Sequence, residues 1–182
     1  MAAHSYTAVG TAVTIPANST AKSMLALFNG VGSGQVLRVY RVWVQNSITA
    51  AAVAGALFTL ELRRTSAGSG GSAVTPTKHD STASAIAAQV VVSTGQTVTV
   101  TDLIRRVQWS TDETSSVANA NVESLQIIPA ISYMFDVGYC ETNVEPIVCR
   151  EGFGVSVQFP SNAASASIGQ LDAFIEFTMD TV

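Results

Sequence analysis

Chemistry in this 182-residue chain would have to begin from two histidines, two cysteines and scattered carboxylates. His4 sits near the N-terminus and His79 in the run Lys78-His79-Asp80. A metal site needs two or three further ligands at workable spacing, and none accompanies either residue. His79 therefore reads as a solvated loop histidine, and no metal ligand is assigned. Serines abound, but no Gly-x-Ser-x-Gly elbow occurs, so a Ser/His/Asp set would have to be assembled from ordinary loop residues. The glycine-rich stretch Gly68-Ser-Gly-Gly71 lacks the lysine and strand-to-helix context of a phosphate loop and reads as a flexible crossover. The acid pairs Glu141/Glu145 and Asp112/Glu113 have the residue types of a glycosidase, yet loop acids are common on surfaces. The defined spacing of a calcium loop is missing around Asp112 and Glu113. Cys140 and Cys149 flank a turn near Pro146. The N-terminus lacks a basic region followed by an apolar core, so no secretory signal is expected, and two reduced thiols are favoured over a disulfide. No catalytic residue and no cofactor is assigned, and the chain is expected not to be an enzyme.

The elements that must position these residues are strands. Between Gly55 and Thr65, Ala56, Phe58, Leu60 and Leu62 share one parity while Leu57, Thr59, Glu61 and Arg63 share the other. Successive strand side chains point to opposite faces, so one face is buried and one wetted. The stretch from Ser66 to Thr77, with Gly68, Gly70, Gly71 and Pro76, predicts a loop longer than an ordinary hairpin, which should cross between sheets or carry contacts. Gln35 to Asn46 is apolar on both parities and predicts a central strand with Trp43 in the core. The last strand should run from Ile168 to Met179, with Leu171, Ala173, Ile175 and Phe177 facing one way. Further strands are expected at Tyr6–Ile15, Ser23–Asn29, Val90–Ser93, Gln96–Thr101, Ser124–Ile128, Ile131–Val137 and Pro146–Phe159. Eight to ten strands with turn signals at short intervals predict an all-β, single-domain sandwich or barrel.

Charge narrows the partners. From Met1 to Gln108 eight Lys/Arg oppose three acids, a net of +5, whereas from Trp109 onward only Arg150 opposes ten acids, a net of −9. Either the halves interleave and neutralise each other within one sandwich, the favoured reading, or unlike faces associate between copies. An acidic balance without a dense basic cluster argues against nucleic acid. No apolar run approaches the ~20 residues that span a bilayer, so no membrane partner is expected.

The strand Leu60-Glu-Leu-Arg-Arg-Thr65, the Gly/Ser loop leading to Lys78-His79-Asp80-Ser81, and the segment Glu145-Pro-Ile-Val-Cys-Arg-Glu-Gly-Phe-Gly-Val155 resemble small structural proteins of tailed bacteriophages. In those chains a variant of Pro-x-Val-x-Arg-x-Gly-Glu-Gly precedes the penultimate strands. The resemblance implies an antiparallel β-sandwich of jelly-roll type over residues 23–182, with residues 1–22 as an N-terminal arm and first strand that packs at home or reaches a neighbouring subunit. It implies a head decoration (cement) protein on the capsid surface of a virion assembled in the host cytoplasm. Its partners would be the major capsid protein and further copies of itself, with a trimer favoured over a dimer. The rival is a receptor- or glycan-binding head of a tail fibre or spike. In either role the interface candidates are Tyr6, Arg63, Arg64, Lys78, His79, Asp80, Trp109 and Asp112.

Overall fold

The computed structural model describes residues 4–14, 21–47, 56–111, 131–137, 145–160 and 170–181. They form twelve strands: β1 (His4–Thr14), β2 (Lys22–Asn29), β3 (Gln35–Asn46), β4 (Ala56–Ser69), β5 (Ser72–Ala73), β6 (Thr77–Lys78), β7 (Val90–Thr94), β8 (Thr97–Thr111), β9 (Ile131–Asp136), β10 (Ile147–Cys149), β11 (Phe153–Phe159) and β12 (Gln170–Thr181). The expectation was eight to ten. The two-residue strands β5 and β6 arise inside the stretch read as loop, and β4 itself runs four residues past Thr65 because Ala67, Gly68 and Ser69 still pair with Thr99, Val98 and Thr97.

Two antiparallel sheets pack against each other as a sandwich. The first has the order β10-β3-β12-β1-β6, with β9 also on β3. The short strands β10 and β9 share one edge of β3, opposite Leu37–Val39 and Arg41–Gln45 respectively. The second has the order β5-β7-β2-β11-β4-β8. Between the sheets lie Leu171, Ala173, Ile175, Phe177 and Met179 of β12, Leu60 and Leu62 of β4, Leu25 and Leu27 of β2, and Val155, Val157 and Phe159 of β11. These are the parities that the alternation in β4 and β12 marks out, so burial of apolar area fixes both registers.

Three departures from simple alternation shape the first sheet. In β1 the register with β12 shifts between Gly10 and Val13, and Ala12 adopts φ 51° with its N–H donating to Asp172 Oδ1 at 2.7 Å. In β3, Tyr40 is the extra residue between Val39, opposite Phe177, and Arg41, opposite Glu176. That bulge switches the inward parity from Leu37 and Val39 to Val42 and Val44, all fully buried. In β9, the shift opposite Val42 and Trp43 leaves Met134 as the extra residue, buried in the core.

β1 lies between β12 and β6, and Tyr6 and Ala8 are fully buried. The segment between β4 and β7 runs from the second sheet to the first and back. β5 pairs with β7, β6 pairs with β1, and His79 N–H donates to Ser5 O at 3.0 Å. Gly71 makes this turn at φ +83°, where a Cβ would stand 2.5 Å from Thr94 O, so no other residue fits. The expected strand at Ser124–Ile128 and the residue Cys140 lie outside the described residues.

Candidate functional site

The outer face of the first sheet carries side chains that a solvated sheet does not need. Because Tyr40 is a bulge, Trp43 points outward rather than into the core, a correction to the simple parity reading. It sits in one cross-strand row with Phe174 of β12 and Tyr133 of β9. Trp43 and Phe174 stack with centroids 4.7 Å apart and planes 2° apart, and Tyr133 is tilted at 6.4 Å. Trp43 and Phe174 thereby each cover one face of the other. The next row is ionic: Arg41 Nε donates to Asp136 Oδ2 at 2.9 Å, and its Nη1 to Glu176 Oε2 at 3.3 Å. Arg38 and Asp180 pair one step further along, at 2.9 Å.

Beside these rows lies a trough of about 280 Å³ lined by Ser5, Tyr6, Tyr40, His79, Glu176, Phe177 and Thr178. A bulge re-aims a side chain, and here the bulged residue is Tyr40, 36% exposed. Across β12, His79 is held by a 2.6 Å hydrogen bond between its Nε2 and Thr7 Oγ1. Thr178 Oγ1 is buried without a hydrogen-bond partner.

The interface candidates fall in different environments. Tyr6 does not present a surface: it is fully buried, stacks on Phe177 at 5.4 Å, and its hydroxyl donates to Ser84 O at 2.8 Å. Its apolar ring fills the core while its polar tip finds a carbonyl, which sequence parity does not reveal. Arg63 lies on the outer face of the second sheet, bound to Glu61. Arg64 takes the inward parity beside Val155 and donates to Val148 O of the opposite sheet at 3.1 Å. Lys78 donates to Ala83 O at 2.7 Å, and Asp80 accepts from Thr82 N–H and Oγ1 at 2.8 and 2.7 Å. These two hold the 79–83 turn together, and His79 alone of the three enters the trough. Trp109 lies on β8 with its backbone opposite Phe58; its side chain and Asp112 lie outside the described residues.

Two carboxylates outside the acid pairs Glu141/Glu145 and Asp112/Glu113 are structural clamps. Glu61 is almost fully buried on the outer side of β4, bound by Arg63 Nε at 2.5 Å and by Arg106 Nε at 2.8 Å. Burial alone would raise its pKa, but the hydrogen bonds and charges of Arg63 and Arg106 outweigh this and hold it below the ordinary value. Glu151, in the segment that resembles the phage pattern, accepts from the N–H groups of Gly34 and Gly32 at 2.7 and 3.1 Å, which lowers its pKa. Gly152 N–H donates to Asn29 O at 2.7 Å, and Asn29 Nδ2 donates to Gln35 O and Cys149 O. The β2–β3 and β10–β11 turns are thereby tied into one unit. Cys149 is a free, buried thiol whose pKa is pushed up to about 12, by burial first, against a smaller opposing effect of Arg64.

The described residues define an all-β sandwich with an open trough on one face and no group of three His, Cys, Asp or Glu side chains set to hold a metal. No family model, curated protein or solved structure matches the chain.

Proposed function

We propose that this chain is a non-enzymatic virion structural protein, a capsid decoration (cement) protein that binds the outside of a phage head and bridges neighbouring major capsid subunits. The observation that carries the reading is the strand order. With β5, β6 and β7 set aside as an insertion, the sheets read β1-β12-β3 with β9 and β10, and β2-β11-β4-β8. The chain changes sheet between β1 and β2, β2 and β3, β3 and β4, β8 and β9, β10 and β11, and β11 and β12. Such an order supports a jelly roll, an architecture shared by viral capsid and lectin domains. The Glu151 clamp adds support, because it gives the phage-like segment a structural rather than a catalytic use. A rigid sandwich that binds the assembled shell better than free subunits stabilises it by mass action. The trimeric state rests on analogy with decoration at local three-fold axes.

Electron microscopy of the virion tests the reading. Density for this sandwich on the head surface, across capsomer seams, is the expected result; its presence only at the tail tip would instead favour the receptor-binding head. That second reading draws on the trough beside Tyr40.

A further inference from the structure

We infer that the tip formed by Val31 and Phe153 is a docking knob that enters the trough beside Tyr40 on a second copy of this chain. This contact extends the self-association proposed above and is read on the purified chain, so its failure leaves the proposed place on a phage head untouched. Val31 is 78% exposed, more than any other large apolar side chain among the described residues, and Phe153 is 49% exposed. A Cβ at Gly152 would stand 3.8 Å from Val31 Cγ2, so the valine lies against the β10–β11 turn, beside the residue that precedes Phe153. The turns that carry both side chains are braced. Glu151 accepts from the Gly32 and Gly34 N–H groups, Asn29 Nδ2 donates to Gln35 O and Cys149 O, and Asn29 O accepts from Gly152 N–H. A turn fixed in this way loses little conformational freedom on docking, so its apolar area converts more fully into affinity.

The trough matches the knob in character and size. Its accessible lining is almost wholly apolar, with Tyr40 and Phe177 among its walls. At about 280 Å³ it falls just below the usual range of small-molecule clefts and suits one or two side chains. The charges agree as well. Beside the trough, Arg41 is outnumbered by Glu176 and Asp136. At the tip, Glu151 spends both carboxylate oxygens on the β2–β3 turn. That leaves Arg150, exposed and without an ion pair among the described residues, as the charge offered to an acidic rim. Val91, Val100 and Leu103 are also exposed, but they lie along β7 and β8 rather than on a turn, and a strand face does not enter a trough. Tip and trough are different surfaces, so the contact is heterologous: each copy offers a tip to one neighbour and a trough to another. A knob this small belongs with weak encounters, with a Kd of about 10 μM to 1 mM.

Sedimentation velocity of the purified full chain at up to about 1 mM tests the contact, and reversible self-association is expected. Val31→Asp and Tyr40→Arg each change an exposed side chain, so both should melt like wild type. Each should weaken association about tenfold or more, the first by charging the knob and the second by removing a wall and repelling Arg150. The sharper probe is to mix them. Each variant keeps the surface that the other has lost, so an equimolar mixture should form a one-to-one pair and nothing larger. A wild-type chain that stays monomeric at about 1 mM overturns the contact and leaves the tip to a different protein. Association that survives both substitutions, or variants that fail to pair when mixed, overturns it too.

Discussion

At the scale of residues, the most consequential group is Glu61, a buried carboxylate that holds two arginines on the outer face of the second sheet. Glu61→Ala leaves Arg63 and Arg106 facing each other without a counter-charge. Because Arg106 is well exposed, solvent relieves part of the loss, and a cost of about 2 kcal/mol in urea denaturation is expected. The folded-state pKa is depressed, so this contribution is complete above the ordinary 4.5 and is lost as pH falls through the lower folded value. The gap between wild type and Glu61→Gln in denaturation experiments should therefore close below pH 4.5. Cys149 makes a simpler prediction. Buried, with its pKa near 12, it should not react with thiol reagents at pH 8 in the folded chain and should react once urea unfolds it. Reaction of Cys149 at the same rate in both states would contradict its burial. Neither role was legible in the sequence: Glu61 stands on the wetted parity of β4, and only the neighbouring β8 supplies Arg106 to cover it.

At the scale of elements, the first strand and the tied turns carry the clearest expectations. β1 is an internal strand that contributes Tyr6 and Ala8 to the core. Deleting residues 1–14 removes a fully buried aromatic, which alone costs about 3–5 kcal/mol, together with one whole edge of β12 pairing. That exceeds much of the ~5–15 kcal/mol of a typical domain, so the truncated chain should fail to give a cooperative thermal transition. A truncated chain that melts like wild type would show that β1 is dispensable at home and free to reach a neighbour. Glu151→Ala should speed amide exchange at Gly32 and Gly34 while the core strands keep their protection. Alternation located β4 and β12 well, because each is regular over the stretch where parity was read. It misplaced Trp43, because the extra residue at Tyr40 reverses the parity of everything after it, and nothing in Val39-Tyr-Arg-Val42 marks that position. The loop read between Ser66 and Thr77 held two short strands for a similar reason. Gly, Ala and Lys have weak strand preference, yet Ala73 and Lys78 pair where a neighbouring strand presents free backbone groups.

At the scale of the whole molecule, the charge asymmetry finds its counterpart inside one sandwich. The Arg38–Asp180, Arg41–Glu176 and Arg41–Asp136 pairs join arginines of the basic first part to acids of the second. Fold closure brings them together because β12 and β9 both return to lie beside β3. The proposed location on a phage head, read by electron microscopy, belongs to this scale, since only the whole surface decides what the sandwich docks against. The amino-acid sequence by itself determined the β character and the buried parity of the most regular strands, because a period of two is a local property. The tertiary structure alone decided that Tyr40, His79, Glu176 and Thr178 meet in one trough and that Glu61 and Glu151 are clamps. Those groups come from strands as far apart in the chain as β3 and β12, and cross-strand register, bulges included, sets which of them become neighbours.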